Sequence, residues 1–354
     1  MDDSRFRLAL CAAFSPASAR LGRVLRTHPP GTCPLADYQR HLPRGGDASA
    51  LLDARRWDAE YARLTRQGWR WIALGDADYP PLLADLADAP GVLAVRGDSA
   101  RLAAPQLALV GARNASADGL DNAFRFARTL AGAGFAITSG LALGVDGAAH
   151  RGALAGAGTT VAVLGSGPGR IYPARHGGLA EAIVESGGVL VSEFAPASAP
   201  RQAHFPQRNR VISGLALGTI VVEAALRSGS LITARTAIEQ GREVFAVPGS
   251  IHNPLSRGCH HLLRDGANWL ESVDDVLHAF GDFRRLIEDS PALNDEPALL
   301  RYFTGGVNGL DALQQRSGLP MAQLAGQLAE LELDGRVERV AGGYSVRRHR
   351  PGGT

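Results

Sequence analysis

Gln106-Leu-Ala-Leu-Val-Gly-Ala-Arg-Asn114 is the stretch on which the fold turns. Its apolar run, Leu107–Val110, proceeds without alternation, stops at a glycine and gives way to an arginine and an asparagine. A run that short and continuous reads as a strand buried on both faces, and the glycine after it as the turn into a helix. The same unit recurs downstream. Further strands are expected at Ala136–Thr138, Val161–Leu164, Val189–Val191, Ile220–Val222 and Val244–Val247. Helical stretches separate them, at Leu120–Ala131, Asp146–Ala155, Leu179–Glu185 and Leu231–Gln240. This alternation predicts an α/β fold, a Rossmann-like doubly wound parallel sheet with helices on both faces.

Around that centre the 354 residues divide. Length alone suggests two or three domains. Residues 1–56 read as a small N-terminal helical, SAM-like domain, with helices at Phe6–Leu10 and Ala19–Leu25. A Pro/Gly turn follows from Thr27 to Pro34, and Gly45-Gly46-Asp47 marks a break. Residues 57–285 read as the extended Rossmann-like domain, opening with a helix over Trp57–Arg66 and strands at Trp71–Leu74 and Val92–Val95. Trp57, Trp69 and Trp71 are read there as core anchors rather than base-stacking platforms. Residues 286–297 form a polar, proline-containing linker, and residues 298–350 a winged helix. Its parts are helices at Pro297–Phe303, Leu310–Ser317 and Met321–Asp334, then a hairpin of Arg336–Val340 and Tyr344–Arg347. Gly318-Leu319-Pro320 suits a helix-turn-helix turn. The third helix, however, carries Glu330, Glu332 and Asp334 and no basic residue. It would repel phosphate, so a protein-contact or structural role is favoured over DNA reading.

Composition narrows the function. With 45% hydrophobic and 20% charged residues the chain can bury a real core. Its apolar runs fall far short of the roughly 20 residues that cross a bilayer. Met1-Asp2-Asp3-Ser4 has acid where a secretion signal carries base, so a cytoplasmic protein without a membrane partner is expected. Three cysteines (Cys11, Cys33, Cys259) with no CxxC spacing argue against a disulfide framework. Cys259-His260-His261 lacks a second ligand pair, and no metal site is expected. All 37 basic residues are arginine. Without lysine, a Walker-type phosphate loop and Schiff-base chemistry are both excluded. An arginine-favouring genome would give the same bias, so the positive meaning of the arginines rests on where they fall. The net charge of +2 is uneven: residues 105–260 hold 13 arginines against 9 acids, residues 261–354 hold 10 against 14. Between Glu193 and Glu223 there is no acid, and that gap contains Arg201, His204, Arg208 and Arg210. It is a polyanion footprint in small.

Ligands on a doubly wound sheet gather beyond the carboxyl ends of the strands, so the residues just after each strand are the candidates. After the first come Gly111 and Arg113, at a helix start that favours an anion. GxGxxG is missing, and Gly165-Ser-Gly-Pro-Gly169 has a proline where an amide donor would be needed, so no dinucleotide or other cofactor is expected. After the second strand come Ser139 and Gly140, then Asp146 and His150. That i,i+4 pair reads as an acid/base dyad or, more simply, as a helix cap beside a packed histidine, and the simpler reading is favoured. After the fourth strand a basic loop ends in Phe205-Pro-Gln-Arg-Asn-Arg210, with Arg201 and Gln202 upstream. An aromatic beside convergent arginines is what a single-stranded nucleic acid needs, stacking for bases and charge for phosphates. Alternatively Phe205 caps the core, and Arg208 or Arg210 pairs with Glu193 or Glu223. After the fifth strand Ser228, Gly229 and Ser230 offer small donors at another helix start.

Taken together and in order, Val110-Gly-Ala-Arg113, Ser139-Gly-Leu-Ala-Leu-Gly-Val-Asp146 with His150, Phe205-Pro-Gln-Arg-Asn-Arg210, Ser228-Gly-Ser-Leu-Ile-Thr-Ala-Arg235 and Phe245-Ala-Val-Pro-Gly249 resemble the DprA/Smf family of DNA-processing proteins. The resemblance spans about 150 residues, and Tyr79-Pro80 and the winged tail look like the family's flanking parts. It implies a non-enzymatic protein of natural transformation that binds incoming single-stranded DNA, protects it, and helps load RecA onto strands covered by single-strand-binding protein. It implies dimerisation through the Rossmann-like domain. It places DNA contacts on Arg113, on Phe205 and on the position three before Phe205. That position is often basic in the family but is Gln202 here, with Arg201 beside it.

Two other readings stay open at this stage. A phosphoribohydrolase of the lysine-decarboxylase-like type would use a similar sheet, with Glu223 as acid and Arg113 as phosphate clamp. Its PGGxGTxxE signature is replaced here by Glu223-Ala-Ala-Leu-Arg-Ser-Gly-Ser230. A winged-helix regulator with a ligand-sensing core is disfavoured by the acidic third helix.

Overall fold

The computed structural model describes residues 3–14, 19–27, 57–196, 198–280, 298–303, 307–333 and 337–346. The chain divides into two compact units, Met1–Ala292 and Leu293–Thr354. Thr27, where the expected turn begins, ends α2, and the rest of that turn (28–34), the break at Gly45–Asp47 and the linker 286–297 lie outside the described residues.

In the first unit, helices α1 (Asp3–Ala13), α2 (Ala19–Thr27) and α3 (Asp58–Arg66) lead into β1 (Trp69–Ala73), the short α4 (Pro81–Ala84) and β2 (Val92–Gly97). The repeating part follows: β3 (Gln106–Val110), α5 (Ala117–Gly132), β4 (Ala136–Ser139), α6 (Val145–Ala155), β5 (Thr160–Val163), α7 (Gly177–Glu185) and β6 (Val189–Ser192). Then come α8 (His204–Leu215), β7 (Gly218–Val221), α9 (Gly229–Glu239), β8 (Glu243–Ala246), α10 (Arg257–Arg264), β9 (Asn268–Trp269) and α11 (Val273–Ala279). One nine-stranded sheet runs in the order β1-β2-β6-β5-β4-β3-β7-β8-β9. From β6 to β9 every pairing is parallel, as the alternation predicts. β2 joins β6 antiparallel and β1 joins β2 antiparallel, which extends the sheet by a hairpin.

The strand that decided the fold shows why its run needs no alternation. Leu107 and Leu109 face a core made with α5 and α6, where Ala127, Leu130, Ala149 and Ala153 lie buried. Ala108 and Val110 face the opposite core with Val211, Ile212 and Leu215 of α8 and Leu231, Ala234 and Ala237 of α9. Period-2 geometry sends successive side chains to opposite layers, and both layers are apolar. The buried Gln106 at the strand's start is satisfied: its amide donates to the Leu102 carbonyl at 2.8 Å, and its oxygen accepts from Thr138.

Helices α1 and α2 share the larger core with the hairpin: Leu8, Leu10, Leu21 and Leu25 lie with Trp69, Trp71 and Leu93. Trp69 and Trp71 are each 2% exposed, and Tyr61 of α3 lies 5.6 Å from the Trp71 ring. Arg7 binds Asp76 at 3.0 Å. The tryptophans are core anchors, as read, with Trp57 packed partly buried against the same core.

The second unit is a winged helix. A 3₁₀ turn (Ala298–Tyr302), α12 (Leu310–Ser317), α13 (Met321–Leu333) and the hairpin β10 (Val337–Val340)–β11 (Gly343–Val346) enclose Leu299, Leu313, Leu324, Leu328 and Val337. Gly318 closes α12 in the left-handed conformation, φ 67°. Glu330 and Glu332 of α13 are exposed. Among the described residues no helix is long and apolar enough to cross a membrane.

Gly97, where β2 leaves the sheet, has φ 106°, and a β-carbon there would run into the carbonyl oxygen of Gly188. Gly97→Ala is expected to lower stability by about 2 kcal/mol or more, read as a drop in the chemical-denaturation midpoint. An unchanged midpoint would show that the hairpin can leave β6 without cost.

Candidate nucleic-acid interface

The sheet winds in two directions from its middle. After β3 the chain builds outward through β4, β5 and β6, and after β7 outward through β8 and β9. The loops leaving β3 and β7 therefore diverge, and a crevice opens between them at the carboxyl ends of the strands. A cavity of about 580 Å³ fills it. Gly111 and Arg113 reach it from the β3 loop, and Arg227, Ser228, Gly229 and Ser230 from the β7 loop and the start of α9. Gln202, Phe205, Arg208, Asn209 and Ile212 reach it from α8 and the loop before it.

The sequence reading carries the basic loop through Arg210, whereas α8 begins at His204. Pro206 sits in its first turn, where a missing N–H costs no hydrogen bond. The earlier start sets the helical phase. Phe205, Arg208, Asn209 and Ile212 follow i, i+3, i+4 and i+7 spacing and share the cavity face. Arg210 falls on the other side. There it is 6% exposed, forms an ion pair with Glu193, and donates to the Asp88 carbonyl at 2.6 Å. The alternative reading, pairing with Glu193, holds for Arg210.

Arg208 forms the floor. It is 3% exposed, and its Nη1 donates to the carbonyls of Gly140, at 2.6 Å, and Val163. Its Nε donates to Asn209 at 3.3 Å. Burial pulls its pKa down to about 10, with the Asp146 carboxylate acting in the opposite sense, so it stays charged at neutral pH. Gly140 is required here, because a β-carbon would collide with the guanidinium. Gly140 thus holds the arginine without lining the cavity. Ser139 is fully buried, its hydroxyl donating to the Leu109 carbonyl at 2.6 Å. Arg201 is exposed and does not line the cavity, and Gln202 does.

Above the floor, the Arg113 guanidinium lies 4.7 Å from the centroid of the Phe205 ring. Phe205 is half-buried, and Arg113 is exposed. Across the cavity Ser228 caps α9, its hydroxyl accepting from the Ser230 N–H at 3.3 Å, and Asn209 donates to the Gly229 carbonyl at 3.3 Å. Arg227 was not singled out in the sequence. Its signal was its place immediately before Ser228-Gly229-Ser230. Tyr172, 47% exposed with its ring 5.9 Å from that of Phe205, was missed as well.

The titratable groups that invited catalytic readings are engaged by the framework, Asp146 at the base of the cavity and the others outside it. Gly144, not Asp146, takes the N-cap position of α6. Asp146 reaches back instead, accepting from the Gly140 N–H at 3.1 Å and the Ala142 N–H at 3.3 Å, and its burial raises its pKa. His150 is the packed histidine: the Thr160 hydroxyl donates to the Ile137 carbonyl, which leaves the imidazole Nδ1–H to donate to Thr160 at 2.7 Å. Glu223 accepts from the backbone and hydroxyl of Ser116, at 2.8 and 2.6 Å, and from Asn253 at 3.1 Å. It ties the β3 and β7 loops together and does not line the cavity. The Cys259 thiol is buried against the carbonyls of Val221 and Val222, and burial pushes its pKa up to about 12. Among the described residues no group of three or more metal-ligating side chains occurs.

A Rossmann-like sheet with a basic, aromatic cavity at its switch point defines a class of ligand-binding α/β proteins. Residues 70–281 match the family model of the DNA recombination-mediator protein A, and residues 289–343 match that of the DprA winged helix domain. The chain is 47% identical over 277 residues to the Escherichia coli protein Smf, covering 75% of this chain and 74% of that protein. It is 41% identical to the DNA processing protein DprA of Streptococcus pneumoniae over 65% of this chain and 82% of the relative. The crystal structure of DprA from Streptococcus pneumoniae superposes with a TM-score of 0.66 at 35% identity, covering 78% of this chain and 98% of that one. DNA processing protein A from Helicobacter pylori, described for its single-stranded DNA binding mode, superposes with a TM-score of 0.54 at 28% identity, covering 59% and 95%. The chain belongs to the DprA/Smf family.

Burial, reinforced by the charges of His176, Arg208 and Arg151, pushes the His150 pKa from 6.5 down to about 3. Between those values the unfolded chain binds a proton that the folded one excludes, so stability falls as pH falls through this window. His150→Gln is expected to flatten the stability–pH curve there by about 1.4 kcal/mol per pH unit relative to wild type. Parallel curves in urea unfolding at several pH values would show that the ring is not held neutral.

Proposed function

We propose that this protein binds single-stranded DNA in the cavity between the β3 and β7 loops and acts as a DNA-processing protein of natural transformation. The observation that carries the reading is the Arg113 guanidinium stacked on Phe205 above a buried, charged Arg208, at the switch point of the sheet. A guanidinium fork meets phosphate oxygens, an aromatic face accepts a base, and the small residues at the start of α9 let a backbone approach closely. The names of the relatives, and the single-strand binding described for the Helicobacter pylori protein, support the same assignment.

On this reading the protein is a binding module rather than an enzyme. Residues 57–285 bind the strand, residues 1–56 are a helical adjunct, residues 286–297 a linker and residues 298–350 a winged helix used for protein contact. By the family resemblance it protects incoming DNA, helps load RecA onto strands covered by single-strand-binding protein, and works as a homodimer in the cytoplasm. Gly111, Arg113, Gln202, Phe205, Asn209 and Ser228–Ser230 make the contacts, with Arg227 added from the cavity wall. Arg208 contributes its charge from below. Arg210, Ser139 and Gly140 act as framework, and Arg201 is free to contact the strand only outside the cavity.

Fluorescence-anisotropy titration with matched single- and double-stranded oligonucleotides at several salt concentrations tests the reading. Salt-sensitive preference for the single strand is expected, and equal binding to duplex overturns it. Arg113→Ala is expected to weaken binding and reduce the magnitude of the slope of log K against log salt by about 0.7, the share of one phosphate. Phe205→Ala is expected to weaken binding with the slope nearly intact. Equal slopes for wild type and Arg113→Ala would remove Arg113 from the phosphate contacts.

A further inference from the structure

Phe205 is the aromatic surface to which the sequence points, yet the fold leaves little of it open. The Arg113 guanidinium lies over the ring. Gly165 stands against its Cδ1–Cε1 edge, so close that a β-carbon there would come within 2.9 and 3.0 Å of those two atoms. Tyr172 leans on it, with the ring planes inclined by 40°. What is open beside the cavity is therefore the tyrosine: Tyr172 is 47% exposed, whereas a tyrosine needed only for packing, such as Tyr79, is 6% exposed.

The loop that presents Tyr172 is held in place. It leaves β5 at Gly165-Ser-Gly-Pro-Gly169, the glycine-rich segment that does not suit a dinucleotide. The Ser166 hydroxyl donates to the Arg170 carbonyl at 2.5 Å, and the Ser192 hydroxyl donates to the Ser166 carbonyl at 2.7 Å. The Gly167 N–H donates to the Ser198 carbonyl at 2.9 Å. Pinned to the end of β6 and to the segment that leads into α8, the loop sets Tyr172 against Phe205 with little freedom left to lose on binding. An exposed, preorganised aromatic that touches the base-and-phosphate residue of a basic cavity has the chemistry of a stacking platform.

We propose that Tyr172 is a nucleobase-stacking position. One base of the bound strand lies on its open face, and an adjacent phosphate meets Arg113, whose guanidinium lies over the Phe205 ring. Phe205, half-buried and touched by both Tyr172 and Arg113, supports them and keeps its own base contact through the part left open. The assignment rests on the single-strand reading of the cavity and adds to it a position outside the cavity wall. Because every base has a π-face, the contact is tolerant of sequence.

The test compares the full-length wild type with Tyr172→Ala, Tyr172→Phe and Tyr172→Trp, using oligothymidylate as the probe. Tyr172→Ala is expected to bind about tenfold more weakly, the effect of losing one stacked base, with an unchanged salt slope. Tyr172→Phe keeps the ring and is expected to stay within about twofold of wild type. In Tyr172→Trp the added indole fluorescence is expected to be quenched by oligothymidylate and not by an abasic strand of the same length. Wild-type affinity in Tyr172→Ala, equal losses in the alanine and phenylalanine variants, or an unquenched tryptophan would each overturn the stacking assignment. If the wild type binds no single strand, the reading of the cavity fails first. If it binds and only the Tyr172 variants are silent, the cavity reading stands and Tyr172 is a surface residue.

Discussion

A buried guanidinium organises the ligand end of this sheet. Arg208 projects from α8 and binds the carbonyls of Gly140 and Val163, at the carboxyl ends of β4 and β5. Gly140 lies just past β4 and Val163 is the last residue of β5, and burying such carbonyls unpaired would cost about 1–3 kcal/mol each. One side chain satisfies both and carries a charge besides. Asp146 completes the arrangement by accepting from the amides of Gly140 and Ala142, so the loop after β4 is held from both sides. The cavity floor is thus fixed before any ligand arrives.

The strands were legible in the sequence because their runs are short, apolar and uninterrupted, and β3 to β8 fall within a residue or two of the expected positions. The cavity was legible as a set of loops, since a doubly wound sheet gathers them at one edge. Which arginine would enter it was not. The phase of α8 depends on where the helix starts, and Pro206 invites a start after it, while the tertiary fold carries the helix back to His204. With the whole stretch read as loop, Arg208 and Arg210 are indistinguishable. Tyr172 and Arg227 were hidden for a different reason. Their meaning comes from contacts between loops far apart in sequence, and no local period records those.

The distribution of titratable groups bears on the choice between binding and catalysis. A general acid or base must reach the ligand, and its pKa is tuned toward the working pH. Here His150, Cys259 and Glu223 stand outside the cavity. His150 and Cys259 are buried in the framework, and their shifts, down to about 3 and up to about 12, move them away from neutrality. Glu223, the residue a hydrolase would need, is saturated by Ser116 and Asn253. What faces the cavity is arginine, phenylalanine, serine, glycine and asparagine, with Asp146 at the base engaged by amides. That set offers charge, donors and a ring, which favours the binding reading proposed above.

Arginine serves two ends in one helix, and the absence of lysine makes the point sharper. A lysine at position 208 or 210 would be a point charge with three donors, and burial would drive it toward the neutral amine. Arginine keeps its charge when buried and spreads donors over a plane, so Arg208 bridges two carbonyls and Arg210 bridges Glu193 and the Asp88 carbonyl. Arg210 ties α8 to Asp88, in the stretch between α4 and β2, and to the end of β6, and so steadies the helix from behind. Its neighbour two residues earlier can then hold the floor of the cavity in front. Rotation of that helix by even one residue, about 100°, would carry both arginines away from their partners, leaving Glu193 buried without its counter-charge and two strand-end carbonyls bare. The ion pair behind α8 therefore fixes the register that places Phe205 under Arg113.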